Sequence, residues 1–243
     1  MLRGSNIFIT GCSRGLGLEI VKQLVARGDT CNIIATCRKP DTCGALTDIS
    51  KQNKNVHVLP LDVTNYASFP SLVENVNGLL SDKGLNILIN NAGVSPKSTR
   101  INMVTEKQMV ETFTCNVVAP LLLTKALLPQ LKQGSSENKP SLIVNMSSIL
   151  GSIAENTRQG GLFPYRSSKS GLNAVTRSLS IDLRGDHVHA VSVHPGWVRT
   201  DMGGHNAPLS AEQSVNGVLD QIDNHSDANN GGFIDYSGHE LPW

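Results

Sequence analysis

The chain has 243 residues, of which 39% are hydrophobic, 4% aromatic and 17% charged; that balance suits an aliphatic core and excludes a disordered or fibrous chain. A formal net charge of +1 supplies no overall field to draw nucleic acid or an anionic membrane surface. Five scattered cysteines without a C-x-x-C pair read as reduced thiols of a cytoplasmic protein, with neither a disulfide framework nor a metal site expected.

Along the chain, short apolar runs alternate with longer amphipathic ones. Residues 6–10 read as a buried strand, then 15–27 as a helix with Leu16, Ile20, Leu24 and Val25 on one side. Further strands are predicted at 31–36, 56–61, 85–90, 141–147, 188–194 and, briefly, at 233–234. Helices are predicted at about 41–53, 66–82, 106–131, 165–183 and 211–222. The strands are rich in Ile, Val and Leu without polar alternation, so both their faces are buried. The β–α pattern runs without a composition break, and the polar stretch 133–140 reads as an exposed turn. The expected architecture is one doubly wound Rossmann-type α/β domain over 1–243, with a largely parallel seven-stranded sheet and helices on both faces. The beginning of the chain lacks the apolar region of a signal peptide. No apolar run approaches the roughly 18–20 residues that a spanning helix needs.

Between the first strand and first helix stands Thr10-Gly11-Cys12-Ser13-Arg14-Gly15-Leu16-Gly17. Glycines 11, 15 and 17 permit a tight turn and close approach of a pyrophosphate to a helix N-terminus. The spacing G-x-x-x-G-x-G points to a dinucleotide. An acid ending the second strand would accept from a ribose 2′-OH, but Cys37 stands there, followed by Arg38. Arg38 and Arg14 suit a 2′-phosphate, so NADPH/NADP+ is expected. The same letters, Gly11-Cys12-Ser13-Arg14-Gly15, also match the G-x-S-x-G elbow of serine hydrolases; its place after the first strand and the extra Gly17 count against that reading.

Tyr165 and Lys169 lie four residues apart on a predicted helix and share its face. A phenol ionises near pH ~10, and an ammonium one turn away favours the phenolate, bringing a proton-transfer group toward neutrality.

Together these residues resemble the short-chain dehydrogenase/reductase family over nearly the whole chain. The resemblance implies that Gly11, Ser13, Arg14, Gly15, Leu16 and Gly17 form the cofactor turn, with Asp62 and Val63 on the adenine side. Asn91, Ala92 and Gly93 of N-N-A-G also contact the cofactor. Pro195, Gly196, Val198 and Thr200 match the P-G-x-V-x-T segment beside the nicotinamide, and Tyr165 and Lys169 touch the cofactor as well. Asn116, Ser148, Tyr165 and Lys169 match the catalytic set. Ser147 competes with Ser148, since neighbouring strand residues point to opposite faces and only one can reach the site. Ser147 to Ser152 and the ending Gly231 to Trp243 are similar to the sniffer-type carbonyl reductases, whose bacterial relatives include C-factor and C-signal proteins.

The implied reaction is hydride transfer from NADPH to a small carbonyl compound (a ketone, quinone or aldehyde), with Tyr165 giving the proton and Ser148 holding the oxygen. Asn116 is expected to interrupt its helix and place a water that links Lys169 to solvent; Pro120, four residues later, favours that break. Sixteen residues separate Ser148 from Tyr165, more than in many members of the family, so 151–164 is expected to loop beside the substrate. Leu162, Phe163, Trp197 and Met202 are candidates for the pocket wall. A homodimer through 106–131 and 165–183 is also implied, with Leu121, Leu122, Leu172 and Val175 serving either the partner or the sheet. A non-catalytic dinucleotide-binding or signalling protein of the same fold is the alternative.

Overall fold

The computed structural model describes residues 1–96, 100–157 and 160–243. Seven parallel strands form one sheet in the order β3-β2-β1-β4-β5-β6-β7. They are β1 (Asn6–Ile9), β2 (Asn32–Cys37), β3 (Val56–Pro60), β4 (Ile87–Asn90), β5 (Ser141–Met146), β6 (Val188–His194) and β7 (Phe233–Asp235). Every predicted strand is present, and β1, β4 and β5 are buried throughout, as their unbroken apolar runs require.

Alternation along β1 divides the core. Ile7 and Ile9 face one layer with Ile20 and Leu24 of α1 (Gly15–Arg27), Leu46 of α2 (Gly44–Gln52) and Val215 and Leu219 of α8 (Ala211–Asp223). Phe8 faces the other, with Leu72 and Val76 of α3 (Phe69–Leu80), Leu123 of α5 (Ala119–Ala126) and Leu131 of α6 (Leu128–Gly134). Because β2 and β4 flank β1 on opposite sides, the order in which strands are added reverses there while all stay parallel. A crevice opens beyond the carboxyl ends of β1 and β4, where such sheets bind ligands.

The helix predicted over 106–131 is three helices. α4 (Glu106–Phe113) starts on a Thr105/Gln108 capping box and runs into a π turn, Thr114–Val118. The wider turn is closed by the Ala119 N–H on the Thr114 carbonyl, and Pro120 has no N–H for the carbonyl of Asn116. A second break, at Leu127, bends the segment Glu106–Ala126 against α6 by 59°, where Pro129 denies an N–H to Lys125. Among the described residues no single helix is long and apolar enough to cross a membrane, although this bent pair has the combined length and composition. Finally, α7 (Phe163–Asp182) begins two residues ahead of Tyr165, with Pro164 in its first turn, and lies along β6.

Candidate active site

The glycine turn is shaped by what it touches. Gly11 and Gly15 have φ of +74° and +58°, which side chains resist. A Cβ on Gly17 would stand 2.3 Å from the Gly11 carbonyl oxygen and 2.7 Å from Asn91 Nδ2, so only hydrogen fits. Asn91 Nδ2 donates to the carbonyls of Thr10 (2.9 Å) and Gly11 (3.3 Å), while Thr10 Oγ1 accepts from the Asn91 and Ala92 amides, both at 2.9 Å. The turn is thereby tied to N-N-A-G across the crevice. Arg14 caps α1 without a side-chain bond and no acid occupies the helix's first turn, leaving its N–H groups and dipole to receive phosphate. Thr200 faces Gly15 from the opposite wall at 3.7 Å from where a Cβ would be. A cradle this bare of side chains fits a dinucleotide.

At the close of β2, Arg38 is exposed and Cys37 is buried. Burial raises the Cys37 and Cys12 thiols, so both stay protonated and no anion ends β2. Arg14 Nε pairs with Asp201 Oδ2 at 3.1 Å, a bridge exposed on both sides and therefore weak. Asp62 is held below the usual carboxylate range by the Thr64 hydroxyl (2.7 Å) and amide (2.9 Å), with Val63 half-buried beside it.

The four candidate catalytic residues converge at the ends of β4 and β5. Ser147 Oγ donates to Asn173 Oδ1 at 2.6 Å inside the protein, so the two serines do face apart and Ser148 is the one that meets Tyr165. Lys169 is buried, donates to the Met146 carbonyl at 2.6 Å, and has Nζ 5.7 Å from the centroid of the Tyr165 ring. Asn116 accepts from the Val94 amide (2.9 Å) and donates to the Val94 carbonyl (2.9 Å) and Ser168 Oγ (3.0 Å). Ser168 in turn donates to the Tyr165 carbonyl at 2.8 Å, joining the π turn to the first turn of α7. A Cβ on Gly93 would lie 3.3 Å from Asn116 Oδ1 and 3.8 Å from Lys169 Nζ, so N-N-A-G reaches this group too.

One expectation is corrected. The spacing predicts that Lys169 lowers the Tyr165 phenol, yet burial raises it, with the Ser148 hydrogen bond acting the other way. Lys169 is itself buried, and that burial brings it down to about 8, opposed by the nearby Cys115. A phenol that keeps its proton through neutrality suits a proton donor.

The facing segment is equally constrained. Gly196 has φ +84°, and a Cβ there would meet Leu209 Cδ1 at 2.3 Å; Ser214 Oγ holds the Pro195 carbonyl at 2.6 Å, and Val198 pairs with Leu209. Phe163, Trp197 and Met202 are exposed rather than in the core, and Leu162 sits at φ +48° just before α7. Leu172 belongs to the interior, which removes it from any partner surface; Leu121 is exposed, and Leu122 and Val175 are half-buried. Sequence reasoning missed Thr10, Ser168 and the Met146 carbonyl. Thr10 stands between β1 and the glycines and so had a positional signal, whereas the other two act through contacts that spacing does not encode.

The chain is similar to known proteins over most of its length. A family model described as short chain dehydrogenase matches residues 5–209. The structure of the carbonyl reductase Sniffer of Drosophila melanogaster is 44% identical, covers 98% of this chain and 99% of its own, and superposes with a TM-score of 0.96. An NADPH-bound carbonyl reductase from chicken fatty liver is 37% identical with full coverage of both chains and a TM-score of 0.94. C-signal of Myxococcus xanthus is 45% identical over 159 residues, 65% of this chain and 93% of that protein.

Proposed function

This chain belongs to the short-chain dehydrogenase family, and from that premise we propose that it is an NADPH-dependent carbonyl reductase acting on ketones, quinones or aldehydes. The observation that carries the proposal is the meeting of Ser148 and Lys169 at Tyr165, beside a glycine cradle open to a dinucleotide. The NADP(H)-bound and carbonyl-reductase relatives support both halves of it.

Gly11, Ser13, Arg14, Gly15, Leu16 and Gly17 would hold the pyrophosphate and Arg38 the 2′-phosphate. Asp62 and Val63 would lie on the adenine side. Asn91 to Gly93 and Pro195, Gly196, Val198 and Thr200 would flank the nicotinamide. When bound, the dinucleotide supplies a hydride. Ser148 hydrogen-bonds the substrate oxygen and fixes it within reach of the Tyr165 hydroxyl, which delivers the proton. Lys169, anchored on Met146, keeps positive charge beside the phenolate as it forms. Asn116 fastens the π turn to Val94 with its side chain, leaving its carbonyl, which Pro120 cannot serve, to hold a water that returns protons to Lys169.

We also propose a homodimer, since Val110 on α4, Leu121 on α5 and Ile181 on α7 are exposed apolar side chains; a monomeric mass by light scattering would remove that part. The test of function is NADPH oxidation, followed by absorbance, with a panel of quinones, aromatic diketones and aldehydes. Tight NADPH binding with no turnover across the panel would instead favour a non-catalytic dinucleotide-binding protein.

A further inference from the structure

The stretch that leads from Ser148 toward Tyr165 is fastened by a residue from the far end of the sequence. After β7 the chain doubles back: Ile234 pairs antiparallel with Glu240, and the Leu241 amide donates to the Phe233 carbonyl at 2.7 Å. This hairpin delivers Trp243, whose ring stacks on Phe233 with centroids 5.6 Å apart and planes 25° apart. Phe233 is buried in the edge of the sheet, so the stack is rooted in the core.

From that position the Trp243 carbonyl accepts from the Ala154 amide at 3.0 Å and from Ser152 Oγ at 3.3 Å. Ser152 is almost fully buried, and its oxygen also accepts from the Glu155 amide at 3.1 Å, closing a turn. On the other side, Ser170 Oγ of α7 holds the Gly151 carbonyl at 2.7 Å. Gly151 itself presses on Lys169, for a Cβ there would stand 2.8 Å from two Lys169 atoms. Ile153 and Trp243 share the wall of an apolar recess of about 290 Å³ beside this turn. Residues 152–155 are therefore clamped between α7 and the sheet edge, directly after Ser148 and its turn.

We propose that Trp243 is a positioning residue that fixes the turn at 152–155 and so decides which carbonyl compounds fit beside Ser148 and Tyr165. The proposal rests on the reductase reading above. It differs from mere ballast in what it predicts. A plug for the sheet edge would affect all substrates and cofactor binding alike, whereas a pin on one wall separates large substrates from small ones.

The experiment compares the full chain with Trp243→Ala, Trp243→Phe and Ser152→Ala. It measures NADPH affinity, kcat and KM with a bulky aromatic diketone and a small aldehyde, and amide hydrogen exchange at Ala154 without cofactor. Trp243→Ala and Ser152→Ala should each speed Ala154 exchange by about tenfold. The diketone KM should rise roughly five- to twentyfold, with aldehyde kcat and NADPH affinity within about twofold of wild type. Trp243→Phe, which can keep the stack, should restore the diketone KM. Unchanged exchange in both variants would overturn the proposal, as would equal losses on both substrates with weakened NADPH binding and no rescue by phenylalanine. Wild-type protein that binds NADPH but reduces nothing would sink the reductase reading instead, and exchange at Ala154 would then decide the pin alone.

Discussion

Lys169 Nζ lies 5.7 Å from the centroid of the Tyr165 ring while donating at 2.6 Å to the carbonyl of Met146, so the lysine is anchored on β5 and the tyrosine meets Ser148. Burial acts on both groups, and against the charged form of each: the phenol moves up and the ammonium comes down to about 8. Cys115, on the π turn, is the titratable neighbour that opposes the lysine's shift.

A pH profile follows from those signs. In the reducing direction Tyr165 must carry its proton and Lys169 its charge. The raised phenol stays protonated through neutrality, so Lys169 sets the alkaline limb. The kcat/KM for NADPH, which reports the free protein, should be level at neutral pH and fall as pH rises through about 8. A profile that stays flat to the ordinary lysine range near pH ~10.4 would contradict the account.

Cofactor choice should depend on Arg38. The buried, protonated Cys37 offers a 2′-OH no anionic acceptor, and Arg38 is the exposed cation that closes β2. Arg38→Leu removes a charge-assisted contact worth about 1.5–3 kcal/mol, or roughly 10–150-fold. The kcat/KM for NADPH should fall by that range while that for NADH stays within about threefold. Equal losses with both cofactors would show that Arg38 does not read the phosphate.

The glycine cradle makes a stability prediction. Gly17→Ala forces a Cβ to 2.3 Å from a backbone oxygen that cannot turn aside, whereas a Cβ on Gly44 meets nothing within 4 Å. Overpacking of about 1–3 kcal/mol should lower Tm by roughly 2–10 °C for Gly17→Ala and loosen NADPH binding. Gly44→Ala should leave both unchanged. Calorimetry with and without NADPH checks this, and matching Tm values for the two variants would refute the packing argument.

Much of this was legible in the sequence. Apolar runs located all seven strands, and the glycine turn and Y-x-x-x-K spacing picked out residues that the structure places in the crevice and beside Ser148. Pro120 even announced the break at Asn116, although not that it would take the form of a π turn. Other features came from packing, which spacing does not encode. The direction of the Tyr165 shift depends on how deeply α7 buries the phenol and where Lys169 finds its acceptor. The bond from Ser168 to the Tyr165 carbonyl joins helix atoms three residues apart, but its partner Asn116 comes from 52 residues away. The reach of Trp243 to Ala154 and Ser152 is longer still, with Ser152 and Trp243 91 positions apart.

The central claim is that Tyr165 delivers the proton, and Tyr165→Phe tests it most directly. That change removes one hydroxyl while keeping the ring beside Lys169. NADPH affinity should stay within about threefold of wild type, while carbonyl reduction should fall by about 10²–10⁴-fold. Near-normal turnover in the variant, with NADPH still bound, would contradict the account.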